Sequence, residues 1–204
     1  MEAVFYRETK NIYRLRIPFE DLYTSVFLIK SGNEAALVDC ATTSDDVDGY
    51  IVPALAELGY VMSDICALVL THRHGDHAGG LSRVLSLAPN IKVITSVCEL
   101  GEGVCIYPMA GHTEDFIGVL DMGTNTLISG DGLQGAGIGK YRNNIKDTDA
   151  YIKTVERIKN DERIENILFS HAFEPWKRDS VWGRENVLSC LDDCLKYVKG
   201  EEKL

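Results

Sequence analysis

The sequence predicts a layered α/β domain. Three observations carry that expectation. Strand-like and helix-like periods alternate along the chain, several apolar strands end on Asp or His, and 204 residues are enough to bury one sizeable core.

Taken in order, Tyr13, Leu15 and Ile17 alternate with Arg14 and Arg16, the period of a half-buried strand. Residues 24–39 read as a hairpin that turns at Ser31-Gly32-Asn33 and ends at Asp39. A helix is expected from Ser44 to Leu58, with Val47, Ile51, Ala54, Leu55 and Leu58 on one face. Asp45, Asp46 and Asp48 enrich its first turn, and Gly59 stands at the stop. Cys66 to Leu70 is a continuous apolar run, expected to be a buried central strand. A loop dense in His, Asp and Gly follows from His72 to Gly80, then a short helix from Leu81 to Leu87 before Pro89.

Ile91–Thr95, Val104–Tyr107, Ile117–Leu120 and Leu127–Ser129 read as short strands, the last two joined by a turn at Gly123 to Asn125. A glycine-rich stretch runs from Gly132 to Gly139. Helices are expected at Thr148–Lys159 and at about Arg184–Val198, with a final strand between them from Ile167 to Ser170, ending at His171. No repeat or linker interrupts the pattern, so residues 1–204 are expected to form a single domain.

Composition narrows the function. The formal net charge of −10 gives no diffuse attraction to nucleic acid or anionic membrane. No apolar run approaches the ~20 residues that span a bilayer, and the N-terminus lacks the basic and apolar regions of a signal peptide. Six Cys are scattered without a Cys-x-x-Cys pair, as in a reduced, cytoplasmic protein. The expected partner is a small-molecule substrate, and a homodimer is the base-rate expectation for assembly.

The five histidines carry the chemistry. Three stand in Thr71-His72-Arg73-His74-Gly75-Asp76-His77, and the others are His112 and His171, each after an apolar strand. Imidazole nitrogen and carboxylate oxygen are ligands that Zn²⁺ and Fe²⁺ accept. In extended backbone His72 and His74 project to one side and can share a metal. Asp76 and His77 lie where the chain turns into a helix and can face a second metal. Five His with strand-end Asp39 and Asp131 come close to the six to eight ligands, roughly, that two metals need. Cys40, at a strand end, reads as a packed thiol rather than a nucleophile.

This arrangement resembles the metallo-β-lactamase-fold hydrolases. Asp39 matches their first motif, His72, His74, Asp76 and His77 the second, His112 the third, Asp131 the fourth and His171 the fifth. The resemblance implies a four-layer αββα sandwich holding two divalent metal ions, Zn²⁺ first, with Fe or Mn as alternatives. It assigns His72, His74 and His112 to one metal, Asp76, His77 and His171 to the other, and Asp131 to both. Asp39 would hold the histidine loop through hydrogen bonds. Catalysis would use a hydroxide bridging the two metals, tuned by Asp76 and Asp131, to attack an ester, thioester or related bond.

Within that family the chain is most similar to glyoxalase II-type thioesterases. Lys140 and Tyr141, at the end of the glycine-rich stretch, match the basic and aromatic positions of the segment that holds the thiol-bearing half of their substrate, and Arg142 stands where those enzymes often have Tyr. They are expected to clamp a substrate carboxylate or phosphate. The chain departs from that pattern in three places. Met109-Ala110-Gly111-His112-Thr113 stands for the usual Thr-Pro-Gly-His-Thr, Glu114 and Asp115 follow it, and the chain ends soon after His171, so the added helical domain of those enzymes is expected to be absent. The alternative reading is a persulfide dioxygenase-like oxidoreductase with one iron on His72, His112 and Asp131.

Overall fold

A computed structural model describes residues 2–133, 145–172 and 178–200. The chain divides into two compact units, residues 1–95 with 100–103, and residues 96–99 with 104–204.

The first unit is built on a six-stranded sheet in chain order: β1 (Tyr6–Arg7), β2 (Ile12–Phe19), β3 (Leu22–Ser31), β4 (Glu34–Val38), β5 (Ala67–Val69) and β6 (Lys92–Ile94). The first four strands are antiparallel; β4, β5 and β6 are parallel. The β3–β4 hairpin turns where expected, with Gly32 at φ +58°, a backbone region that costs glycine little. Register aligns Leu28 with Leu37 and Leu37 with Leu68, and sets Leu15 opposite Val26. These side chains share one apolar cluster with Val47, Ile51, Leu55 and Val84.

The helix expected at 44–58 has an internal change of pitch. It runs as α1 (Ser44–Asp46), a π turn (Val47–Ile51) and α2 (Val52–Glu57). Its start is capped reciprocally: Thr43 Oγ1 accepts from Asp46 N, and Asp46 accepts from Thr43 N. The change of pitch has a cause in the sequence. Pro53 has no N–H to continue the ladder, and its ring would collide with the carbonyl of Gly49 four residues earlier. The Val52 amide reaches back to Val47 instead, widening the turn ahead of the proline. A 3₁₀ turn (Met62–Asp64) and helices α3 (Gly75–Ala78) and α4 (Leu81–Leu87) complete the connections.

Strand β2 departs from its sequence period. The alternation with Tyr13, Leu15 and Ile17 implies solvent for both arginines, yet Arg14 is fully buried. Its Nε lies 3.1 Å from Glu8 Oε1, and its guanidinium sits 5.1 Å from the Phe27 ring centroid. Both faces of β2 are therefore covered at this point, and the carboxylate that meets the buried charge comes from just before the strand.

A second six-stranded sheet has the order β12-β11-β10-β9-β8-β7. Its strands are β7 (Glu99–Gly101), β8 (Val104–Pro108), β9 (Ile117–Asp121), β10 (Thr126–Gly130), β11 (Asn166–Phe169) and β12 (Ser180–Trp182). Strands β10 and β11 are parallel; β8–β9, β9–β10 and β11–β12 are antiparallel. One rung of this sheet reads Cys105, Leu120, Leu127, Ile167, Val181. It packs in one cluster with Tyr151, Val155 and Ile158 of α5 (Thr148–Asn160) and Val187, Leu191 and Cys194 of α6 (Arg184–Lys199). Helix α5 opens on Asp147, whose side chain accepts from Ala150 N, and α6 closes on Gly200 at φ +75°. The strand ending at His171 is not the last, because β12 follows it. Two mixed sheets with helices confirm the α/β class.

Candidate functional site

Both sheets place their polar residues at the carboxyl ends of adjacent parallel strands. Asp39 follows β4 and His72 lies just beyond β5; Asp131 follows β10 and His171 lies just beyond β11. In open parallel sheets the carboxyl ends of the strands are where ligands bind.

In the first unit the organising residue is Asp39, buried and held at φ +63°. Its Oδ1 accepts from Thr71 N at 2.8 Å, and Thr71 Oγ1 donates to its Oδ2 at 2.9 Å. His77 Nδ1 lies 2.7 Å from the same Oδ2, and His77 Nε2 lies 3.2 Å from Asp76 Oδ2. Because a carboxylate only accepts, the His77 Nδ1 proton faces Asp39, and Nε2 lies on the Asp76 side. Thr71 Oγ1 also lies 3.1 Å from His72 Nδ1. The His72 ring packs against His74 and His77, with centroids 4.4 and 4.2 Å away.

Two glycines let this loop close. A Cβ on Gly79 would lie 1.8 Å from the Thr42 carbonyl oxygen, and one on Gly80 would lie 2.1 Å from that of Cys40. The contact brings α3 onto residues 39–42, where Cys40 N donates to His77 O at 2.8 Å and Thr24 Oγ1 donates to Asp76 O at 3.1 Å. Asp39 and Ala41 both adopt positive φ, a cost that these contacts offset. The Cys40 thiol is pushed up to about 12, first by burial and then by the Asp39 charge, which fits a packed thiol and not a nucleophile.

In the second unit His112 is set by the start of α5. Gly111 (φ +140°) approaches so closely that a Cβ would lie 2.6 Å from Tyr151 Cα. The Gly111 carbonyl accepts from Lys146 N and Asp147 N, and Ala110 O accepts from Thr154 Oγ1 at 2.8 Å. Phe116 meets the His112 ring edge-on at 5.5 Å. Asp131 follows a register shift between Ile128 and Gly130 opposite β11, an irregularity of the kind that re-aims the next side chain. Its Oδ1 lies 3.2 Å from His171 Nε2, and its Oδ2 lies 3.9 Å from His112 Nε2. All three residues are buried.

The donor set suits a divalent cation. Within the first unit the ligand atoms of His72 and His74 lie within 4.8 Å of each other, and those of Asp76 and His77 are closer still. In the second unit, Asp131 brings an anionic oxygen to two imidazole Nε2 atoms, nitrogen and oxygen donors of the kind zinc takes. Lys140, Tyr141 and Arg142 lie outside the described residues. Thr71, Gly79, Gly80 and Gly111 support the site without having been assigned a role from the sequence. The signal for each was its position beside a histidine or at the end of the histidine loop.

Comparisons with known proteins agree with this architecture. Residues 20–97 match the family model for the metallo-β-lactamase superfamily. The chain is 29% identical over 168 residues to the β-lactamase-like protein 2 homolog of Drosophila melanogaster, covering 66% of this chain and 54% of that protein. It is 30% identical over 140 residues to a hydroxyacylglutathione hydrolase of Dechloromonas aromatica, covering 60% and 48%. A metallo-β-lactamase from Erythrobacter litoralis, crystallised with β-mercaptoethanol in the active site, superposes with a TM-score of 0.68 at 19% identity, covering 94% of this chain and 96% of that one. The chain has the metallo-β-lactamase fold, and its residues 20–97 carry the match to that superfamily's model. It spans about half the length of the two sequence relatives named. Among the described residues no helix is long and apolar enough to cross a membrane.

Proposed function

We propose that the chain is a metal-dependent hydrolase acting on an ester, thioester or related bond of a small, anionic substrate. The observation that carries this reading is the buried Asp39–His77 contact, which fixes a histidine with its Nε2 on the side of the Asp76 carboxylate. A histidine that only fills a core does not need a buried carboxylate on Nδ1, whereas a metal-ligating histidine commonly donates its other ring N–H to one. His72, His74 and His112 would hold one divalent ion, Zn²⁺ first, Asp76, His77 and His171 a second, and Asp131 both. Ions bound there would supply hydroxide at neutral pH and would polarise the bond to be cleaved.

The chain's own residues do the rest. Asp39 keeps the His77 proton on Nδ1, so Nε2 is ready to donate its lone pair. Asp131 and Asp76 bring negative charge and acceptor oxygens to the reacting water, orienting its remaining proton. Lys140, Tyr141 and Arg142 would meet the substrate's anionic group. Similarity to hydroxyacylglutathione hydrolases favours a thioester as the first substrate class to try.

The test is purification without chelator, metal analysis, and assay against thioesters and esters. Two divalent ions per chain with turnover that chelation abolishes is the expected result. One iron per chain, with persulfide-dependent uptake of O₂ and no hydrolysis, would overturn it.

A further inference from the structure

We propose that Thr71 is a positioning residue: its hydroxyl relays the Asp39 carboxylate to His72, so that one buried carboxylate sets the tautomer of two histidines. The assignment follows from counting protons. Thr71 Oγ1 has one hydrogen, and it lies 2.9 and 3.1 Å from the two Asp39 oxygens, which only accept. That hydrogen is therefore directed to Asp39. The remaining neighbour of Oγ1 is His72 Nδ1 at 3.1 Å, so Nδ1 must be the donor in that contact. His72 thus carries its proton on Nδ1 and keeps its lone pair on Nε2, just as Asp39 draws a proton directly to Nδ1 of His77 at 2.7 Å.

The arrangement is rigid as well as directional. Thr71, Asp39, His72 and His77 are all buried, and the Thr71 amide donates to Asp39 Oδ1 at 2.8 Å, which pins the residue at both its backbone and its hydroxyl. A buried chain of this kind holds its members in one orientation because burial keeps bulk solvent from competing for its links. The geometry is independent of any metal. Its consequence, that His72 is preset as a ligand, rests on the proposed function above.

The experiment separates the two. In chelator-treated full-length protein, ¹⁵N–¹H correlation spectra of the imidazoles report each tautomer. Wild type and Thr71→Ser are expected to show His72 protonated on Nδ1; Thr71→Val, of nearly equal shape but without the hydroxyl, is expected to shift His72 toward Nε2–H. Zn²⁺ affinity, measured by chelator competition, should fall about 10–100-fold in Thr71→Val and recover in Thr71→Ser. Wild-type His72 protonated on Nε2 overturns the relay, even if Thr71→Val does not fold. Unchanged tautomer and affinity in Thr71→Val also overturn it. A tautomer shift in a protein that retains no divalent metal in any form supports the relay and counts against the hydrolase reading alone.

Discussion

Gly79 packs so closely on Thr42 that a Cβ on its α-carbon would lie 1.8 Å from the Thr42 carbonyl oxygen and 2.5 Å from that of Gly75. Both obstacles are backbone, so the loop must shift to accept a side chain. Gly79→Ala is expected to cost about 2 kcal/mol or more, in the range of backbone strain and overpacking. Gly75, four residues earlier, has open space at its Cβ position and no unusual φ. Gly75→Ala should leave stability within about 0.5 kcal/mol of wild type. Urea unfolding of the two variants checks the contrast; equal effects would contradict the close approach.

Asp39 serves as acceptor for Thr71 N, Thr71 Oγ1 and His77 Nδ1 while sitting at φ +63°. Asparagine tolerates that backbone region, so Asp39→Asn tests the carboxylate alone. Its amide oxygen can accept, but its NH₂ turns a donor toward donors. The expected cost is about 1–3 kcal/mol, the desolvation penalty of a buried group left without a partner. Denaturant unfolding in the presence of chelator measures this separately from any change in metal affinity.

The buried Cys40 thiol gives a pH signature. Its pKa rises from an ordinary 9.0 to about 12, chiefly through burial. The folded chain therefore keeps a proton that the unfolded chain releases, and the unfolded state gains from ionisation once pH exceeds about 9. The stabilisation is full below pH 9 and is lost as pH rises through the folded value. Tyr107, raised from 10.0 to about 12, adds a similar loss starting one unit higher. Urea midpoints between pH 8 and 11 should fall, and Cys40→Ala should reduce the slope between pH 9 and 10 while lowering stability slightly throughout. A slope unchanged by the substitution would show that this thiol is not protected.

Much of the fold was legible because its signals were local. Gly32 between two apolar runs marks the hairpin, and the Ile152, Val155, Ile158 stripe marks α5. The candidate ligands were legible too, because His and Asp stand out against apolar strands. Other features depended on partners distant in sequence or on short elements. Strands β7 and β12 have three residues each, too few for a period. The π turn comes from one proline inside a convincing helical stripe. Thr71 is an ordinary residue until Asp39, 32 positions earlier, is seen on its hydroxyl. The burial of Arg14 runs against its charge, and Glu8 and Phe27, which meet it there, are not visible in the strand's period.

That last pair makes a sharp prediction. Arg14 is fully buried, and Glu8 Oε1 lies 3.1 Å from its Nε. Removing the acid alone takes a carboxylate away from a positive charge in a desolvated position, whereas removing both charges restores an apolar environment. Glu8→Gln is expected to destabilise by about 3 kcal/mol, at the lower end for a buried pair because Glu8 keeps some exposure. Arg14→Met is expected to cost less, since methionine fills much of the space over Phe27 and leaves the acid with access to water. The double variant should be more stable than Glu8→Gln alone, giving a coupling of at least about 1 kcal/mol in a double-mutant cycle. Additive costs would mean that the ion pair contributes nothing beyond packing. Equilibrium unfolding of the four proteins at one pH and salt concentration decides between these outcomes.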